Sequence, residues 1–146
     1  MQFKKYPIKY QTRLQDCATT CLEMIADYFG KPCDPKSLYE QCNVEESGAS
    51  VLELGNAAKK IGFKTLAIKC TMDDLRNDIP LPAIIFWKTH HFIVAFAKDD
   101  EYIFVSDPAV GRILYKHEEF EKGWYLTNEK CGVLLAVEPS DSSYLV

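Results

Sequence analysis

The stretch QTRLQDCATTCLEMIADYFG, Gln11 to Gly30, changes from a polar run without apolar periodicity into a periodic one, and Cys17 stands on the seam. A thiol attacks as its thiolate, and an ordinary cysteine is mostly protonated at neutral pH. The first turn of a helix favours negative charge through its unpaired N–H groups. Cys17 at the first helical position, behind Asp16 as N-cap, is therefore a candidate nucleophile, with the Asp16 carboxylate expected on backbone donors. Such a thiol needs a base, and the base needs a group to orient it. The chain has three histidines, His90, His91 and His117. The first two open the apolar run HHFIVAFA, a stiff support for an imidazole, and the next strand-like run, YIFVS, leads into Asp107-Pro108. Two adjacent strands would then present a histidine and an aspartate side by side. Alternation along a strand puts His90 and His91 on opposite faces, so only one can meet Cys17. Nothing in the local sequence chooses between them.

The elements that must hold these groups read as helices first and strands afterwards. Cys17, Cys21, Leu22, Ile25, Tyr28 and Phe29 recur at helical spacing until Gly30 and Pro32 stop the run. Pro35–Cys42 predicts a short second helix on Leu38 and Tyr39. Ser50, with Glu53 three residues on, caps a third, whose apolar stripe is Val51, Leu52, Leu54, Ala57, Ala58 and Ile61. Beyond Gly62 the period shortens. Strands are predicted at 64–69, 83–87, 91–97, 102–106, 111–115 and 132–138, with helical turns at 71–77 and 118–122. This order implies an α+β domain, its N-terminal helices packed on a mainly antiparallel sheet.

Composition narrows the function. With 47% apolar residues, 26% charged and a net charge of −4, the chain is an ordinary globular protein lacking the basic face that nucleic acid requires. No apolar run reaches bilayer length, and the N-terminus has no signal-peptide core, so a chain remaining inside the cell is expected. Six cysteines suit a disulfide scaffold only in a short secreted protein, so free thiols are expected, with Cys21 packed in the core. A zinc site from Cys17 and Cys21 with Cys33, Cys42 or a histidine lacks the paired spacings of ribbons and fingers.

Gln11 to Cys21 resembles the Q-x-x-x-x-D-C-G-x-x-C signature of the double-glycine leader peptidases, the papain-like N-terminal domains of bacteriocin-exporting ABC transporters. His91-Phe92-Ile93-Val94 is similar to their histidine motif, and Asp107-Pro108 to their aspartate motif. The resemblance spans essentially the whole chain. It implies Cys17 as nucleophile, His91 as base, Asp107 as orienter and Gln11 as oxyanion donor, with Gln15 the rival for the last role. Ala18 stands where the family usually has Gly; its backbone N–H, a second oxyanion donor, is unchanged. The resemblance further implies a papain-like cysteine peptidase domain over residues 1–138, and in 139–146 the start of a linker toward a transmembrane domain. It implies cleavage of a precursor peptide after Gly-Gly or Gly-Ala, on the cytoplasmic side of a bacterial membrane. The leader is expected as an amphipathic helix in an apolar groove, for which Val51–Ile61 and Ile84–Trp87 are candidates. Partners are the transporter's own transmembrane and ATPase domains. No cofactor is expected in this domain, with ATP and Mg²⁺ confined to the ATPase. A non-catalytic docking domain and a free-standing papain-like hydrolase are the competing readings; the filled catalytic positions argue against the first.

Overall fold

The computed structural model describes residues 6–31, 33–41 and 50–140. Cys42, expected to end the second helix, and residues 141–146 of the expected linker lie outside them. Helix α1, Cys17–Tyr28, buries Cys17, Cys21, Leu22, Met24 and Ile25 along one face. It closes where Gly30 takes φ +69°: the Gly30 N–H donates to Asp27 O and the Lys31 N–H to Ala26 O, at 3.1 and 2.9 Å. Helix α2, Pro35–Gln41, turns Leu38 into the same core. Helix α3, Val51–Lys60, begins with the expected reciprocal cap, Ser50 Oγ accepting from Glu53 N and Glu53 Oε1 from Ser50 N. Leu54, Ala57 and Ala58 are buried as the stripe requires, but Leu52 is 74% exposed and does not belong to it.

Among the described residues six strands follow: β1 Phe63–Cys70, β2 Ala83–Trp87, β3 His91–Lys98, β4 Tyr102–Asp107, β5 Gly111–Lys116 and β6 Gly132–Pro139. Two helices interrupt them, α4 Met72–Asn77 and α5 His117–Trp124. The strands form one sheet in the order β1-β6-β2-β3-β4-β5, and every pairing between these strands is antiparallel. The last strand is thus inserted beside the first. β6 runs to Pro139, and Ser140 still bonds Gly62 O through its N–H and hydroxyl.

The sheet separates two cores. On one face Ile84, Phe92, Val94 and Phe96 pack with α1, Leu38 of α2 and α3. On the other, Ile85, Trp87, Ile93, Ala95, Ile103 and Val105 pack with Met72 and Leu75 of α4 and with Phe120 and Trp124 of α5. The central strands β2, β3 and β6 alternate between the two, as a period of two demands. Among the described residues no helix is long and apolar enough to cross a membrane.

Candidate active site

Three local structures converge at the β3–β4 end of the sheet. The first is the β2–β3 turn. Lys88 and Thr89 both adopt positive φ (51° and 62°), a region that side-chain-bearing residues avoid at a cost of order 1–3 kcal/mol each. The turn is pinned from outside by the Lys88 N–H on Gly123 O at 2.8 Å. Gly123 is required there, because a Cβ would lie 2.3 Å from the Trp87 ring. His91 emerges from this turn paired with Trp87.

The second is the β4–β5 turn. Asp107, 4% exposed, ends β4, and its Oδ1 accepts from Ala109 N at 2.9 Å and from His91 Nε2 at 2.8 Å. A strand end and a tight turn therefore supply the imidazole with a carboxylate that is already fixed.

The third is the start of α1. Cys17, 6% exposed, opens α1 close enough to His91 to act on the charge of its ring, whose Nε2 is taken by Asp107. Burial pulls the His91 pKa down, but the hydrogen bonds and charges of Asp107 and Cys17 outweigh it and push the group up to about 9. Cys21, fully buried one turn on, has its thiol pushed well up by burial, with Cys17 and Asp107 adding to the effect. It packs in the core as expected. His90 is exposed and its Nδ1 lies 2.6 Å from Lys88 O, while His117 sits at the far end of the sheet with Nε2 near Asp99 O.

The N-terminal strap brings Gln11 to the same end. Arg112 donates twice to Tyr6 O (2.9 and 2.7 Å), Ser106 Oγ donates to Pro7 O, and the Gln11 N–H donates to Pro108 O at 2.9 Å. Gln11 Nε2 donates to Arg13 O at 3.1 Å with a long 3.5 Å contact to Leu14 O, and its Oε1 is buried without a partner. The structure thus bonds His91 to Asp107, sets Cys17 near the same ring, and tethers Gln11 to the turn that follows Asp107.

One expectation fails. Asp16 does not cap α1 with its side chain, because a single 3-10 turn, Leu14–Asp16, precedes the helix. Its carboxylate instead accepts from Thr12 Oγ1 and from Arg13 Nε and Nη2, at 3.0, 3.0 and 2.7 Å. Burial raises the Asp16 pKa, but Arg13 and Thr12 hold it below the usual carboxylate range. Neither residue was singled out from the sequence, although a basic residue three positions before an acidic one was a readable signal. Among the described residues no three His, Cys, Asp or Glu side chains gather as metal ligands, and Cys17, Cys21, Cys33, Cys70 and Cys131 are free thiols.

Helices on both faces of one antiparallel sheet, with a buried thiol at a helix start and an imidazole at a strand start, match the papain-like class of cysteine peptidases. The model of the peptidase C39 family matches residues 5–142, and the chain belongs to that family. Among solved structures it is similar to a double glycine motif protease from an AMS/PCAT transporter in complex with the leader peptide, with TM-score 0.83, 26% identity and 91% of each chain covered. It is also similar to the peptidase domain of Streptococcus ComA, a bi-functional ABC transporter involved in a quorum sensing pathway, with TM-score 0.81, 25% identity, and 92% of this chain and 98% of that one covered. The probable microcin-H47 secretion/processing ATP-binding protein MchF of Escherichia coli is 32% identical over 137 residues. That match covers 93% of the present chain but only 18% of MchF.

Proposed function

We propose that this domain is a cysteine endopeptidase that removes the leader from a precursor peptide after a Gly-Gly or Gly-Ala pair, coupled to export by an ABC transporter. The observation carrying the proposal is the 2.8 Å bond of His91 Nε2 to Asp107 Oδ1 near the buried Cys17, with the imidazole pushed up to about 9 by both neighbours. A charged imidazole near the sulfur is the partner that a nucleophilic thiol of this class requires. The thiolate attacks the carbonyl carbon of the second small residue. The Gln11 amide and a backbone N–H of the first turn of α1 stabilise the oxyanion, and His91 protonates the departing amine. Water, deprotonated by His91, then releases the leader from the sulfur. Asp107 holds the ring and its charge throughout.

The leader needs a surface of its own. The two expected candidates are poor, since Leu54, Ala57 and Ala58 of α3 and Ile84, Ile85 and Trp87 of β2 are buried in the cores. A better one is a groove of about 510 Å³ on β1 and β6, where Leu66, Ile68, Ala136, Ile79, Pro80 and Leu81 form an apolar floor and wall. An amphipathic leader helix would lay its apolar side there. On this reading the transporter's transmembrane and ATPase domains are the partners, on the cytoplasmic side of the membrane. ATP and Mg²⁺ would be used by the ATPase and take no part in this site.

The test is incubation of the domain with a double-glycine precursor, followed by mass spectrometry. Wild type should cut after the second small residue, and Cys17→Ala should leave the precursor intact while keeping the native circular dichroism. Cleavage retained in that variant would overturn the assignment.

A further inference from the structure

Asp16 stands directly before α1, yet its carboxylate turns back along the chain. It is 7% exposed and takes three hydrogen bonds from residues 12 and 13, two of them from the fork of a guanidinium. Its main chain is equally committed. The Asp16 N–H donates to Arg13 O at 3.1 Å, and Asp16 O accepts from the hydroxyls of Thr19 and Thr20, at 3.1 and 2.8 Å. The Arg13 guanidinium also lies 4.3 Å from the centre of the Tyr39 ring, which ties the same turn to α2.

Arg13 O links this knot to Gln11. It accepts from Asp16 N and from Gln11 Nε2, both at 3.1 Å. That carbonyl dictates which way the amide faces, since a half-turn would set Oε1 against the oxygens of Arg13 and Leu14. Upstream, the Gln11 N–H is held by Pro108 O, next to Asp107. Gln11 is thus fixed between the β4–β5 turn and a fold-back that Asp16 closes.

We propose that Asp16, with Arg13 and Thr12, is a positioning residue for the oxyanion site. It bends residues 11–13 onto the start of α1, so that the Gln11 amide and the first backbone N–H groups of the helix converge on one point. The inference rests on the proposed role of Gln11 and gives Asp16 no contact with substrate. Acyl transfer should depend on the fold-back, whereas the thiol–imidazole pair, held by His91 and Asp107 from the other side, should not.

The experiment uses Asp16→Asn and Thr12→Val, with Thr12→Ser as the conservative control. It measures kcat and KM on a double-glycine precursor, and the iodoacetamide alkylation rate of the Cys17 peptide by mass spectrometry. Alkylation forms no oxyanion, so it reports the thiolate alone. The expected result is a fall in kcat of about 10- to 100-fold for Asp16→Asn and about 3- to 10-fold for Thr12→Val. KM and the alkylation rate should stay within about twofold, and Thr12→Ser should match wild type. Unchanged kcat in both variants, or alkylation falling in step with kcat, overturns the proposal. If Asp16→Asn does not fold, Thr12→Val against Thr12→Ser decides alone. Cleavage surviving in Cys17→Ala would remove the peptidase reading beneath it, a result distinct from either.

Discussion

At the β3–β4 end of the sheet Asp107 is 4% exposed and both of its known donors, His91 and Ala109, lie within 2.9 Å. On the outer side of β1 and β6 Leu66 is 63% exposed, in a groove that no helix of the described residues fills. One sheet carries both regions, and they are built on opposite terms. Bond making needs polar groups already ordered and shielded, so that no reorganisation is left for the transition state. Recognition of a helix needs apolar area that water covers until a partner arrives. The difference predicts that damage at the first region appears in kcat and damage at the second in KM.

The largest effect separates the two adjacent histidines. His91→Ala should lower kcat/KM for a double-glycine precursor by about 10³-fold or more, the scale seen when a catalytic base is removed. His90→Ala, on the exposed side of the turn, should change it by less than about twofold. A reversed pair of results would move the base to His90 and dissolve the contrast at its strongest point.

The groove supplies the intermediate effect. Leu66→Asp or Ile68→Asp should raise KM for a leader-bearing precursor by about tenfold at nearly constant kcat, because burying one leucine-sized surface contributes roughly 1.5–3 kcal/mol. A short peptide spanning only the cleavage site should be insensitive to both changes. A fall in kcat without a change in KM would show that the β1–β6 face serves the reaction and not the leader.

Much of this arrangement was legible in the chain. Ser50 and Glu53 announced the start of α3, Gly30 the end of α1, and the apolar runs located all six strands to within a residue or so at each end. Local rules sufficed because each signal is a local hydrogen bond or a local period. Strand order was not legible, since the insertion of β6 between β1 and β2 depends on which strands bury each other. The two histidines show a subtler limit. His90 has the strand parity of Phe92 and Val94, which pack against α1, whereas His91 shares the parity of Ile93 and Ala95 in the other core. Parity alone favours His90 for meeting a residue of α1; the resemblance to the family signature favours His91, the ring that bonds Asp107. Which ring lies nearer α1 depends on the β2–β3 turn and the tertiary placement of α1, and neither is a local signal. Asp16 fails as a cap for a related reason: Arg13 competes for its carboxylate, and a charged fork at 2.7 Å outweighs a backbone N–H.

The smallest effect tests whether the order at the β3–β4 end is electrostatic. His91 is raised from its ordinary 6.5 to about 9, so the native state binds its proton more tightly than the unfolded chain does. Stability from this group is therefore fully present below pH 6.5 and is lost as the pH rises through about 9. Urea denaturation of wild type and His91→Gln should show their difference largest near pH 6 and smaller near pH 10. Cleavage should follow the same group, with kcat/KM falling above about pH 9 as the imidazolium that protonates the leaving amine disappears. Leu66→Asp should leave that alkaline limb where it is, because an exposed carboxylate in the groove is screened from the imidazole by water and salt. A limb that moved with Leu66→Asp would mean that the two regions share one electrostatic environment. A wild-type limb near 6.5 would mean that Asp107 and Cys17 do not hold the proton on His91.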